Sequence, residues 1–424
     1  MIDSCTPRRA TTGFGLLAIM MLSTTLGCSS SSAGAAKGDG GAGGNYPAFT
    51  PDVGQLVNRG GSQLTAAKIV TVTWTADSNA STFEDFDDKI GGSSYWQSTL
   101  KEYGIGPATG GAANHVRISA APMSTIDVLD LEAWLVTQVQ SPSTSGWPAY
   151  DPQTLYVVWI PPAIKLTAGG ADACIGNQGT YHSEVTVGTN SVPYVFVDEA
   201  CNGSMSLLDV ATQTGSHAIA EAVTDPHLYT APAYLGFDTS HIAWQAWQGN
   251  TAEVADICVL FPDAYFKGPS SLPYSLQRLW SNANAKAGHD PCGPATTDPY
   301  YNVAPQGLAM LSTVVIGTST KAVKGLGYDV PVGTTKSIEV GYYSDAPLAG
   351  PITLTAVEGD GFTTAATHVL TLSVGKGSGG NGDTDTVSVT MNGGNAAGNA
   401  FLMTLVTSVP GLPKHYSPVI IEAL

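Results

Sequence analysis

The run KIVTVTW from Lys68 is β-branched and aromatic and predicts a strand. Residues 82–103 set acidic, apolar and aromatic side chains at helical spacing, with Gly104 and Gly106 as the stop. Residues 115–119 alternate as a short strand. Residues 124–140 (STIDVLDLEAWLVTQVQ) read as a helix capped by Ser124 or Thr125, and residues 155–160 (LYVVWI) as a buried strand closed by Pro161 and Pro162. Strand and helix alternate, so an α/β domain with a mixed sheet and flanking helices is expected over residues 47–298. A strand at 193–197 precedes a central helix over 204–223 that Asp225-Pro226 ends, and a second helix is predicted over 274–287. Beyond Tyr300 the pattern changes to short strands at 336–343, 352–357, 368–374, 386–391, 401–406 and 418–422, separated by Gly, Pro and Asp turns. That spacing predicts a C-terminal all-β, immunoglobulin-like sandwich over residues 299–424, with 375–383 as a hairpin loop.

The N-terminus reads as an export address. Arg8 and Arg9 precede a largely apolar run over residues 13–26, too short to span a bilayer, and Leu26-Gly27-Cys28 follows. A small residue directly before a cysteine resembles a bacterial lipobox, so residues 1–28 are expected to be a lipoprotein signal peptide with Cys28 lipidated. The alternative is ordinary signal-peptidase cleavage with Cys28 incidental. Residues 29–46 are a Gly/Ser/Ala-rich linker. Ser29 after the cysteine points to the outer membrane, so the expected location is that membrane or the secreted space. The membrane contact would be the lipid anchor, since no later stretch approaches 18 uninterrupted apolar residues.

Composition narrows the partners. With 17 Lys+Arg against 34 Asp+Glu the chain carries −17 and lacks the basic footprint of a nucleic-acid-binding surface. Six cysteines divide by fate: Cys5 leaves with the signal, Cys28 takes the lipid, and Cys174, Cys201, Cys258 and Cys292 remain for an oxidising compartment. Three pairings are open. Cys174 with Cys201 and Cys258 with Cys292 is favoured because each closes a loop of about 25–35 residues, worth about 3–4 kcal/mol. A zinc thiolate site has no CxxC spacing to support it.

Chemistry concentrates in SHAIAEAVTDP, residues 216–226. His217 and Glu221 are four apart on one helix face, the spacing by which a helix offers two ligands to one metal, and Asp225 extends that face. Glu253 and Asp256 in GNTAEVADIC are three apart; Glu253 is a candidate third ligand, and Asp225 and Asp256 are candidates to orient the ligands. His182, in Thr180-Tyr181-His182-Ser183, is a further candidate. The plain alternative is that His217 and Glu221 form an ordinary polar pair. Trp244, Trp247 and Tyr234 are either groove or core. There is no GxxxxGK[ST] for a nucleotide and no GxSxG elbow around Ser216.

SHAIAEAVTDP, then Trp244, Trp247 and GNTAEVADIC, then QRLWSNANAKAGHDPCGP resemble a family of exported bacterial proteins. That family carries a His-Glu-x-x-Glu-x-x-Thr-Asp-Pro helix and a Gly-Glu-Ile-x-Asp-x-Cys segment, and looks like a zinc metallopeptidase-type domain distantly similar to plant Exordium-like (phosphate-induced) proteins. The resemblance covers roughly residues 68–294. It implies zinc at His217 and Glu221, with Glu253 and Asp256 as the downstream acids. Ala218 departs from the pattern, standing where a zincin's general-base glutamate takes a proton from water. The expectation is therefore a degenerate peptidase-like domain. Two alternatives stay open: an active peptidase with another base such as Glu184, and a binding or adhesion module with no metal. The partner would be an extracellular protein, peptide or glycan.

Overall fold

The computed structural model describes residues 44–120, 124–174, 179–201, 205–248, 252–314, 323–362, 368–392 and 399–424. The signal segment, Cys28 and the linker up to residue 43 lie outside them. Helix and strand are mixed, strands predominate, and they form several sheets.

Five strands organise the first half: β1 (Lys68–Trp74), β2 (His115–Ile118), β3 (Thr154–Ile160), β4 (Thr180–Val187) and β5 (Asn190–Asp198). Their order is β2-β1-β3-β5-β4; the first four run parallel, and β4 is an antiparallel edge strand. Both faces of β1, β3 and β5 are covered, which explains their near-continuous apolar runs. Ile69, Val157, Trp159 and Val197 face one core; Val70, Val72, Val158 and Phe196 face the other. The strand expected at 193–197 is the middle of β5. Its hairpin partner β4 was not expected, because the mixed-polarity run TYHSEVTV is buried at only one position.

On the first face lie α1 (Ala80–Ile90), α2 (Ser94–Leu100) and the long α4 (Leu207–Thr224); the second is covered by α3 (Val128–Gln140). The helix expected over 82–103 is broken at Gly91, where a Cβ would lie 2.4 Å from the Ala108 side chain and 2.5 Å from its carbonyl oxygen. The chain restarts when Ser93 Oγ accepts a bond from the Trp96 amide. α3 begins at Val128, capped by Asp127 rather than Ser124 or Thr125, because Thr125–Asp127 pairs in parallel with Lys165–Ala168. α4 starts on the Ser206 cap and runs to Thr224.

The helix expected over 274–287 is corrected. Ser275–Gln277 pairs with Tyr265–Lys267, Leu279–Trp280 pairs with Cys292–Gly293, and only Asn282–Ala287 (α6) is helical. Amides that a helix would have used internally go elsewhere: Arg278 donates to Ala264 O and Trp280 to Val254 O. The buried Arg278 guanidinium bonds Asp263, Asp290 and the Cys292 carbonyl, and closes this end of the sheet domain.

Among the described residues the second half is all strand. β6 (Tyr301–Pro305), β9 (Thr335–Ser344), β11 (Leu370–Val374) and β12 (Thr384–Met391) form one sheet in the order β6-β9-β12-β11. β7 (Ala309–Val314), β8 (Val323–Val330), β10 (Ile352–Glu358), β13 (Ala400–Ser408) and β14 (His415–Ala423) form the other, ordered β7-β8-β14-β13-β10, with Ser378–Gly379 added beside β10. The two share one core of alternating side chains such as Val340, Val387, Leu354, Leu405 and Ile421, a β-sandwich. β6, β7 and β8 lay outside the expected set. Residues 375–383 do connect the paired strands β11 and β12.

Helix α5 (Ile242–Gln248) joins the halves: Trp247 packs at a tilt against Tyr416 and Phe362, and its Nε1 donates to Asp360 O. From the other end, Phe49 covers Gly341, and Asn381 holds Ala48 N and Asn45 O. Disulfides join Cys174 to Cys201 and Cys258 to Cys292, the favoured pairing. Such bridges persist outside the reducing cytosol. Among the described residues no helix is long and apolar enough to cross a membrane.

Candidate metal centre

α4 packs between the sheet and the segment after α5. Ala218, Ile219, Ala222 and Val223 go into the apolar core, which leaves His217 and Glu221 on the flank towards β4 and residues 252–257. That segment is held from several sides. Gly236 N donates to Ala252 O, Trp280 N to Val254 O and Gln277 Nε2 to Ala255 O; Glu253 N donates to Asp256 Oδ2, and Cys258 is cross-linked. The acids are thus carried on a fixed turn.

His182 reaches in from the edge strand β4. Its Nε2 lies 3.1 Å from Glu253 Oε2 and 3.5 Å from Glu221 Oε2, and His217 Nε2 lies 3.0 Å from Glu221 Oε2 and 3.9 Å from Asp256 Oδ1. Tetrahedral zinc with bonds of about 2.0–2.1 Å separates its ligand atoms by about 3.3–3.4 Å. Three of these four separations lie close to that edge. Glu221 and Glu253 are almost wholly buried, and Oε1 of each has no hydrogen-bond partner. A buried carboxylate oxygen without a donor is costly unless a cation faces it. The two imidazoles and three carboxylates, in two groups of three that share Glu221, are therefore donors suited to divalent ions of the zinc class.

Gln277 prepares His217. Its amide nitrogen is committed to Ala255 O, so its Oε1 accepts from His217 Nδ1 at 3.0 Å and leaves the Nε2 lone pair facing Glu221. Nothing in the sequence pointed to Gln277, because it lies in the segment read as a helix.

The electrostatics fit a site awaiting positive charge. Burial works against an imidazolium at His182, but Glu253, Glu221 and Asp225 outweigh it and push its pKa up to about 10. Burial likewise opposes charge on His217, and Glu221 and Asp256 raise it to about 9. Burial and neighbouring Glu221 lift Glu253 to about 7 against the pull of His182, and burial with Glu221 lifts Asp256 well above the carboxylate range.

The structure regroups the expected residues. Glu253 stands with His182 rather than with His217, and Asp256 is the acid beside His217, so their roles as ligand and supporter are not separated as expected. Asp225 is buried and accepts from Ala233 N at 2.6 Å. Ala218 is fully buried in the core. Glu184 is tied up: it bonds Ser191, His227 Nδ1 and the Tyr229 and Thr230 amides. Burial tends to raise its pKa, but bonds from Ser191 and Thr230 hold it low. Trp244 and Trp247 are core, and Tyr234 packs edge-on to Tyr103.

No family model matches the sequence, and no curated protein matches it. Solved structures with partial likeness include domains 4 and 5 of the S-layer protein SbsC, at 15% identity and TM-score 0.17, over 29% of this chain and 54% of that one. The chain thus spans about half the length of that structure. A longer piece of the same S-layer protein is 13% identical with TM-score 0.17, over 35% of this chain and 18% of that one. A β-glucosidase from Listeria innocua is 10% identical with TM-score 0.16, over 88% and 48%. At these scores none informs the fold or the site.

Proposed function

We propose that the chain is an exported cell-envelope lipoprotein, anchored through Cys28, whose first domain is a degenerate metallopeptidase-like body holding zinc or a similar dication. The observation that carries this is the convergence of His182, Glu221 and Glu253 with unpartnered carboxylate oxygens. A bound dication would supply Lewis acidity and a cross-link between β4, α4 and the 252–257 turn. Gln277 orients His217, and Glu253 and Asp256 are steadied by their shared turn. The two positions considered for a general base do not supply one: Ala218 carries a methyl group, and both oxygens of Glu184 are engaged. The body is accordingly read as non-catalytic or weakly active, in line with the resemblance of its motifs to the exported peptidase-like and Exordium-like proteins. The β-sandwich, read as immunoglobulin-like, would present it to an extracellular protein, peptide or glycan. Elemental analysis of the purified protein tests the metal: bound zinc, with a lower melting temperature after chelation, is expected. Efficient cleavage of a broad peptide library by the zinc-loaded chain would contradict the degenerate reading.

A second reading has its own support. The raised imidazole pKa values allow His182 and His217 to balance the carboxylates as cations without metal, in a binding or adhesion module. It predicts a zinc-free protein whose melting is indifferent to chelator.

A further inference from the structure

We propose that the cluster holds two divalent cations bridged by the carboxylate of Glu221, a statement that rests on reading the cluster as a metal centre. A single cation about 2.0–2.2 Å from each ligand keeps every pair of ligand atoms within about 4.4 Å. Among the described residues the five donors do not gather in that way. They fall into two trios, His182 with Glu221 and Glu253, and His217 with Glu221 and Asp256, each with its atoms within 4.8 Å of one another. Glu221 is the member common to both.

The bridging residue has the right capacity. Its Oε2 lies 3.0 Å from His217 Nε2 and 3.5 Å from His182 Nε2, so one oxygen faces the imidazoles of both trios, while Oε1 is buried without a partner. Each trio joins one imidazole to two carboxylates, a donor set suited to zinc, cobalt or manganese. The trios differ in access: the His182 and Glu253 side chains are 9% and 7% exposed, against 18% and 21% for His217 and Asp256. The inner position fills first, and the outer one exchanges more readily.

The test is zinc per chain, by elemental mass spectrometry, on the full protein dialysed against zinc and then freed of excess. Asp256→Asn and His182→Gln are measured alongside, with circular dichroism as the check on folding. Two equivalents are expected in the parent and one in each variant. One equivalent in the parent, unchanged in Asp256→Asn, overturns the bridge and leaves a single-ion centre standing; none in the parent overturns both readings. If a variant fails to fold, a cobalt titration of the parent decides alone: spectral change continuing to two equivalents supports the bridge, and saturation at one overturns it.

Discussion

Gln277 decides what His217 can offer, because its carbonyl oxygen fixes the proton on Nδ1. Gln277→Leu should therefore weaken zinc binding about 10–100-fold with the fold retained. Competition against a chelating dye measures this, and unchanged affinity would remove Gln277 from the account. Protons supply a second check. In the metal-free chain His182 and His217 are raised to about 10 and about 9. Their stabilising contribution is full below the unfolded value of about 6.5 and is lost as pH rises through those two values. The denaturation midpoint in chelator should fall as the pH is raised from about 6.5 to about 10, and zinc should suppress the fall. Loading with zinc near pH 8 should also release at least two protons, since ligating imidazoles must be neutral. At this scale the sequence was half legible. The i, i+4 spacing of His217 and Glu221 is local and could be read. His182 lies 71 residues from Glu253 and Gln277 lies 60 from His217, and no spacing rule spans such distances.

Helix α4 carries a glycine where propensity alone would place something else. A Cβ on Gly215 would lie 2.5 Å from Trp159 Cη2, and Trp159 is held by stacking on Phe83 and a bond from its Nε1 to Asp87. Gly215→Ala gains about 1 kcal/mol in helix propensity, but overpacking of this kind costs about 1–3 kcal/mol. We expect a net loss of about 1 kcal/mol, read as a lower urea midpoint; a stabilised variant would mean that Trp159 can move aside. The strands β1 and β3 and the helix α4 were legible because their patterns are long and uninterrupted. The segment 274–287 was misread because its amides pair with strands far along the chain, and that pairing outweighs local periodicity. The break at Gly91 was hidden for a related reason: the close approach of Ala108, which leaves no room for a Cβ at that position, is tertiary.

The two halves of the molecule meet through aromatic side chains around α5. Trp247 is 4% exposed, lies 5.5 Å from Tyr416 between ring centres, and bonds Asp360 O at 2.7 Å. Trp247→Ala should cost about 3–5 kcal/mol and separate the calorimetric transition into two. A single sharp transition at nearly the parent temperature would show that the contact does not couple the halves. The change from helix-and-strand to all-strand texture near residue 300 was legible. The docking of the two halves was not, since Trp247 and Tyr416 are ordinary apolar positions in their own elements. The net charge of −17 is a property of the surface at large; the carboxylates that matter are the few drawn inward around Glu221. Anomalous diffraction at the zinc edge from crystals of the zinc-loaded protein tests the metal centre most directly. Density is expected between His182, Glu221 and Glu253, about 2.0–2.2 Å from their donor atoms. A featureless anomalous map, with His182 still paired directly to Glu253, would contradict it.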